Sequence, residues 1–160
     1  MADAKDYIGK RGEFIVAEKL TDFCGRPLPF FDPHPLGEKC GVFDFLVELV
    51  TNDKTPPYFL VSAKATRKGR TKKSLDLKVG VKAKDVQAMV RCPVPAYLIG
   101  VDEPAGEAYI VSMHGNVKGP ISSIPTAHPV NTETLAILWA EVRSYWKTLN
   151  YRSKNSKFQM

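Results

Sequence analysis

Residues 41–66 read G-V-F-D-F-L-V-E-L-V-T-N-D-K-T-P-P-Y-F-L-V-S-A-K-A-T. Val42 to Val50 is rich in aromatic and β-branched residues, which predicts a strand. Tyr58 to Ala65 predicts a second strand. The polar, proline-containing segment from Thr51 to Pro57 is a turn, so the two strands form an antiparallel hairpin. Phe43, Phe45, Val47 and Leu49 take one face of the first strand. Val42, Asp44, Leu46, Glu48 and Val50 take the other. Aspartate is disfavoured inside strands, and this one sits between two phenylalanines. In the second strand, Tyr58, Leu60, Ser62 and Lys64 share a face. A turn centred near Lys54 places Asp44 opposite Lys64, Leu46 opposite Ser62 and Glu48 opposite Leu60. A register slip of two keeps these faces, and a slip of one exchanges them.

Upstream, Asp6 to Phe23 has the helical period, with Tyr7, Ile8, Phe14, Ile15, Val16, Ala17, Leu20 and Phe23 as its apolar set. Gly9, Glu13, Val16, Ala17 and Leu20 share a face through spacings of three and four. A carboxylate on such a face is partly desolvated and needs a partner. Gly9 and Gly12 each cost about 1 kcal/mol of helix propensity relative to alanine, and permit close approach of another backbone. Gly25 to Pro35 reads as a proline-rich loop.

Downstream, Thr66 to Ser74 is a basic loop containing Gly69. Leu75, Leu77 and Val79 alternate with polar residues and predict a short third strand. Lys82 to Arg91 predicts a helix, Ala96 to Val101 a buried strand, and Glu107 to Met113 its hairpin partner. Asn131 is the expected N-cap of a helix from Thr132 to Leu149. The order is helix, three strands, helix, two strands, helix. It predicts one α/β domain over residues 1–150, a central mixed sheet flanked by helices, and a polar tail over 151–160.

The chain has 160 residues, 44% hydrophobic and 25% charged, values of an ordinary globular protein. No apolar run is long enough to span a membrane, and the first residues lack a signal-peptide core, so the expected location is cytoplasmic. Cys24, Cys40 and Cys92 are odd in number and have no CxxC pair, which argues against a disulfide framework or a zinc site and predicts buried free thiols. The net charge is +6. Between Lys64 and Lys84 there are nine bases and one acid, a net +8, so the remainder is −2. One basic patch favours a polyanion, nucleic acid before anionic lipid.

Glu13, Asp44 and Lys64 are the constellation that carries chemistry. The plain reading is an ion-pair network on a sheet face. The chemical reading is a metal site, since Mg²⁺ takes one or two carboxylates with waters and phosphate oxygens. A lysine beside it can orient the attacking water and stabilise phosphate charge.

At these residues the chain resembles the PD-(D/E)xK, or restriction-endonuclease-like, nuclease superfamily. G-K-R-G-E-F-I-V-A-E-K-L is similar to the first helix of archaeal Holliday-junction resolvase-type domains. G-V-F-D-F-L-V-E-L is similar to the strand bearing the metal-binding aspartate, and F-L-V-S-A-K-A-T to the (E/Q)xK strand. The resemblance covers roughly residues 6–113. It implies an α-β-β-β-α-β core and Mg²⁺-dependent phosphodiester hydrolysis, with Mn²⁺ able to substitute. It implies Glu13 as the helix acid, Asp44 as the metal-binding aspartate and Lys64 as the catalytic lysine. The Ala63 carbonyl joins the metal set. Ser62 stands where the family has Glu or Gln; its hydroxyl is a poor Mg²⁺ ligand but can hold a water.

Arg67, Lys68, Arg70, Lys72 and Lys73 are the expected nucleic-acid contacts. The expected partner is nucleic acid, DNA first, through its backbone or structure rather than a base sequence, with no membrane. A homodimer is the arrangement by which such enzymes act on two strands. Glu48 lies about 13 Å along the strand from Asp44, too far to share its metal. Gln87 reads as a solvated helix residue that can contact a phosphate. His34, His114 and His128 lack ligand spacing. Trp139, Trp146, Tyr97 and Tyr109 read as core, and Arg152, Lys154 and Lys157 as a solvated tail. An inactive member of the same fold, kept as a binding module, is the alternative that Ser62 motivates. A small interaction protein with a structural ion-pair network is the third.

Overall fold

The computed structural model describes residues 1–38 and 40–149. The tail from 151, with Arg152, Lys154 and Lys157, lies outside the described residues. The elements in order are α1 (Ala4–Leu20), β1 (Phe31–Pro35), β2 (Phe45–Leu49), β3 (Tyr58–Thr66), α2 (Ala83–Val90), β4 (Ala96–Asp102), β5 (Glu107–Ser112) and α3 (Thr132–Thr148). The five strands form one mixed sheet in the order β1-β2-β3-β4-β5. Only β3 and β4 run parallel; the other neighbours are antiparallel. This is a single α/β unit of the restriction-endonuclease-like architecture expected from the sequence. Among the described residues no helix is long and apolar enough to cross a membrane.

Alternation along the strands builds two cores. Phe45, Val47, Leu49, Phe59, Val61, Tyr97, Ile99 and Val101 face α1 and α3, meeting Ile15, Val16, Leu20, Leu135, Leu138 and Val142. Ala96, Leu98 and Tyr109 face α2 and the 77–81 segment, meeting Val86, Met89, Leu77 and Val79. Trp139 and Trp146 pack against the first core, and Tyr97 and Tyr109 are buried, as expected.

Three expectations are corrected. The proline-rich Phe31–Pro35 segment is not a loop but the edge strand β1. Leu36 donates its N–H to the Asp44 carbonyl and Val50 donates to Phe30. By alternation Asp32 and His34 also face β2, so the nitrogens of Pro33 and Pro35 point to the open edge, where no donor is needed. The Leu75–Val79 segment is not a strand: Leu77 makes only isolated bridges, with Arg70 and Ile124. The thiols are free, but Cys40 is exposed and Cys24 and Cys92 are only half-buried.

Helix ends follow local chemistry. Asp3 and Asp6 form a capping box that starts α1 before the expected Asp6. The helix ends at Leu20, three residues before the expected Phe23 stop, where the Thr21 hydroxyl donates to the Ala17 carbonyl at 2.7 Å. Asn131 caps α3 by accepting the Thr134 N–H at 3.0 Å.

Gly12 sets the height of α1 above the sheet. A Cβ there would lie 2.5 Å from the Cβ of Ala65 in β3, so only glycine permits this approach. Gly9, by contrast, meets nothing within 4 Å. The buried face of α1 is therefore Gly12, Ile15, Val16 and Leu20, with Glu13 at its margin rather than on it.

A candidate active site where β2 opens from β3

Asp44 immediately precedes β2. Phe45 pairs with Val61, and the Asp44 N–H also bonds to the Val61 carbonyl at 2.8 Å. Two residues of one strand thus face one of the other, as in a β-bulge, a device that re-aims a side chain. The Asp44 carboxylate turns to β3 and accepts the Ala63 N–H at 2.7 Å. The expected register is corrected here. The strands are offset by two residues from the arrangement that places Asp44 opposite Lys64, because Leu49 bonds to Pro57 across a turn centred on Asp53, not Lys54. Leu46 faces Leu60 and Glu48 faces Tyr58.

The charges of the three residues still act on one another, although Lys64 is within ion-pair distance of neither carboxylate among the described residues. Burial raises the Asp44 carboxyl above its ordinary value; the Ala63 N–H and then the Lys64 ammonium pull it back. Desolvation also raises the Glu13 carboxyl, the Asp44 charge raises it further, and Lys64 and Lys10 oppose this. Glu13 is largely exposed, so its desolvation is partial. Glu13 from α1, Asp44 from the bulge and Lys64 from β3 therefore share one electrostatic environment.

The donor set fits a hard divalent cation. Two carboxylates, both held above their ordinary values, are under-neutralised in this place, and a positive charge would relieve both. Ser62 lies between the two β3 residues that bond to Asp44. It is fully buried and its hydroxyl has no hydrogen-bond partner. Such an atom can serve a water or an ion. Among the described residues, no three His, Cys, Asp or Glu groups gather to hold a metal. Two carboxylates suffice for Mg²⁺ when phosphate and water complete its shell. Glu48 is engaged elsewhere: His34 Nε2 lies 2.8 Å from it and 3.5 Å from Asp32, at the sheet edge.

The basic loop leaves β3 after Thr66, two residues beyond Lys64, and opens the crossover to β4. Its charges divide into two kinds. Arg67 pairs with the nearly buried Glu103 at 2.6 Å, and Arg11 of α1 meets the other oxygen of the same carboxylate at 3.0 Å. Arg70 bonds to Glu107 at 3.3 Å and stacks 4.9 Å over the Tyr109 ring, whose hydroxyl accepts from it. These arginines anchor the loop while keeping part of their surface exposed. Lys68, Lys72 and Lys73 are exposed and make no ion pair among the described residues. Gln87 is exposed on α2.

Glu103 is the residue that sequence reasoning missed. The Arg67 hydrogen bond, with help from Arg11, holds its carboxyl below the ordinary range. Its partners lie 36 and 92 residues away, so no local pattern marks it.

No known family description and no curated protein matches the sequence. Among solved structures, the chain is similar to a nuclease from a fusselovirus. The TM-score is 0.52 at 12% identity, over 92% of this chain and 98% of that one. At this identity the likeness is one of fold, and it extends over nearly the whole of both chains.

Proposed function

We propose that the chain is a metal-dependent nuclease of the PD-(D/E)xK type that binds nucleic acid, DNA first, and hydrolyses phosphodiesters. The observation that carries this reading is the shared environment of Glu13, Asp44 and Lys64 beside a loop whose Lys68, Lys72 and Lys73 make no ion pair among the described residues. The fold likeness to a viral nuclease supports it.

Asp44 and Glu13 hold Mg²⁺, or Mn²⁺ in its place, with the Ala63 carbonyl as a further oxygen donor. The bound ion supplies Lewis-acid charge at the scissile phosphate. Lys64 orients the attacking water and stabilises charge developing on the phosphate oxygens. Ser62 holds a water beside Asp44. Lys68, Lys72 and Lys73 bind the phosphate backbone, and Arg67 and Arg70 keep that loop in place. Backbone contacts fix position without reading sequence, so recognition is of backbone or structure. Two copies acting on two strands are the arrangement a double-strand cut requires.

Incubation of supercoiled and branched DNA with the protein and Mg²⁺ or Mn²⁺ tests this reading; nicking in metal and none in chelator is the expected result. Ser62, and the absence of a third metal-ligating group beside the two acids among the described residues, favour a second reading, an inactive binding module of the same fold. Salt-sensitive binding with no cutting in either metal identifies that module.

A further inference from the structure

The tip of the basic loop, residues 71–76, is built in an unusual way. The Thr71 N–H donates to the Asp76 carbonyl at 2.8 Å, and the Asp76 N–H returns to the Thr71 hydroxyl at 3.1 Å. The Thr71 and Ser74 hydroxyls share a hydrogen bond of 2.9 Å. The Leu75 carbonyl accepts from the Arg70 guanidinium at 3.4 Å and from the Thr126 hydroxyl at 3.5 Å. The tip is thus closed on itself and tied to the body of the domain.

This scaffold displays Leu75, a residue doubly unsuited to its place by stability alone. Its φ is +58°, in the left-handed region that favours glycine, and its side chain is 60% exposed. An L-residue with a Cβ costs roughly 1–2 kcal/mol there, and burial would have favoured the apolar side chain. Polar Asn or Gly would suit the turn on both counts. Lys72 and Lys73 are exposed just before it. The one acid of the segment, Asp76, is half-buried.

We infer that Leu75 is a wedge that enters between stacked base pairs of duplex DNA while Lys72 and Lys73 hold the flanking phosphates. This rests on the nucleic-acid reading above and deepens it, since it makes the substrate a duplex that is locally opened on binding. Apolar side chains partly unstack a base step when inserted, and the cost of unstacking is offset by contacts to the bent duplex. A tip already closed by its own hydrogen bonds suits the task because less ordering remains to be done on binding. Lysines beside the wedge make a polyanion, rather than an apolar protein surface, the fitting occupant.

The experiment uses the full chain, chelator to prevent cutting, and duplex DNA carrying the fluorescent base 2-aminopurine, which brightens when unstacked. Saturating protein removes differences in affinity. Wild type is expected to brighten the probe severalfold. Leu75→Gly and Leu75→Ala are expected to bind without brightening it, and Leu75→Gly to melt at a higher temperature than wild type. A gain of fold stability with a loss of base opening is a pair that a merely structural role does not produce. Equal brightening by wild type and both variants overturns the wedge but leaves the nuclease reading standing. DNA binding with no brightening by wild type also overturns it, including the case in which Leu75 docks on a protein. No DNA binding by wild type overturns both.

Discussion

The Asp44 carboxylate, rather than a backbone carbonyl, accepts the Ala63 N–H, at 2.7 Å. One side chain therefore holds the end of the β2–β3 ladder and presents the charge on which the proposed chemistry depends. These two duties separate by substitution. Asp44→Ala leaves the half-buried Ala63 N–H without a partner, and the expected loss is about 1–3 kcal/mol in denaturant unfolding. Asp44→Asn keeps an acceptor at the same place and is expected to retain most of the stability. Equal destabilisation by both variants would mean that charge, not the hydrogen bond, holds the ladder.

Glu13 carries a stability penalty with a definite sign. Its carboxyl is raised by desolvation and then by Asp44, so the folded state disfavours its ionised form. The penalty is present above the raised folded value and vanishes below the ordinary glutamate value. Glu13→Gln is therefore expected to melt slightly higher than wild type at neutral pH, with the difference closing as pH falls through the carboxylate range. Added Mg²⁺ is expected to raise the melting temperature of wild type more than that of the variant, since ligand binding to the folded state stabilises it. Thermal melts across pH, with and without metal, check both statements.

The fold was legible where periodicity was strong. Both long helices and the β4–β5 pair lie where their patterns place them, and so does the β2–β3 hairpin, except that β2 begins at Phe45 rather than the expected Val42 and leaves Asp44 outside the strand. Three strands before α2 were also expected, but their membership differs. The prolines of β1 hide an edge strand, because its outward nitrogens need no donor. Leu77 and Val79 mimic a strand, because they fill the second core from an irregular segment. Register was the least legible feature: moving the turn centre from Lys54 to Asp53 shifts every pair by two. The Asp44–Lys64 neighbourhood survives that shift because the bulge at Asp44 carries its carboxylate toward Ala63. Glu103 was not legible at all, since burial between Arg11 and Arg67 exists only after α1, β3 and β4 have assembled.

The Gly12–Ala65 contact positions the helix that carries Glu13. Gly12→Ala places a methyl 2.5 Å from the Ala65 Cβ, so α1 must lift from β3. The expected cost is roughly 1–3 kcal/mol, typical of overpacking, together with a fall in cleavage rate. Ala65→Gly in the same chain removes the opposing methyl and is expected to recover part of both. A double variant no better than Gly12→Ala alone would show that this contact does not set the helix position.

Glu103 ties α1 and the basic loop to the end of β4. Its carboxyl is held below the ordinary range, first by the Arg67 hydrogen bond. Its contribution to stability is therefore complete above the unfolded glutamate value and is lost as pH falls through the lowered folded value. Glu103→Gln is expected to flatten the acid limb of the melting curve and to speed proteolysis within residues 67–76. Unchanged protease resistance in the variant would contradict the anchoring role.

Glu13, Asp44 and Lys64 form the proposed hydrolytic site. Single-turnover cleavage of end-labelled branched DNA in Mg²⁺, by wild type, Asp44→Asn and Lys64→Ala, tests it most directly. Melting and metal-free DNA binding are measured on the same samples. Cutting by wild type is expected, with a loss of at least about a hundredfold in each variant, in line with the removal of one preorganised electrostatic group, while melting and binding hold. Cutting by either variant at the wild-type rate would contradict the proposed site.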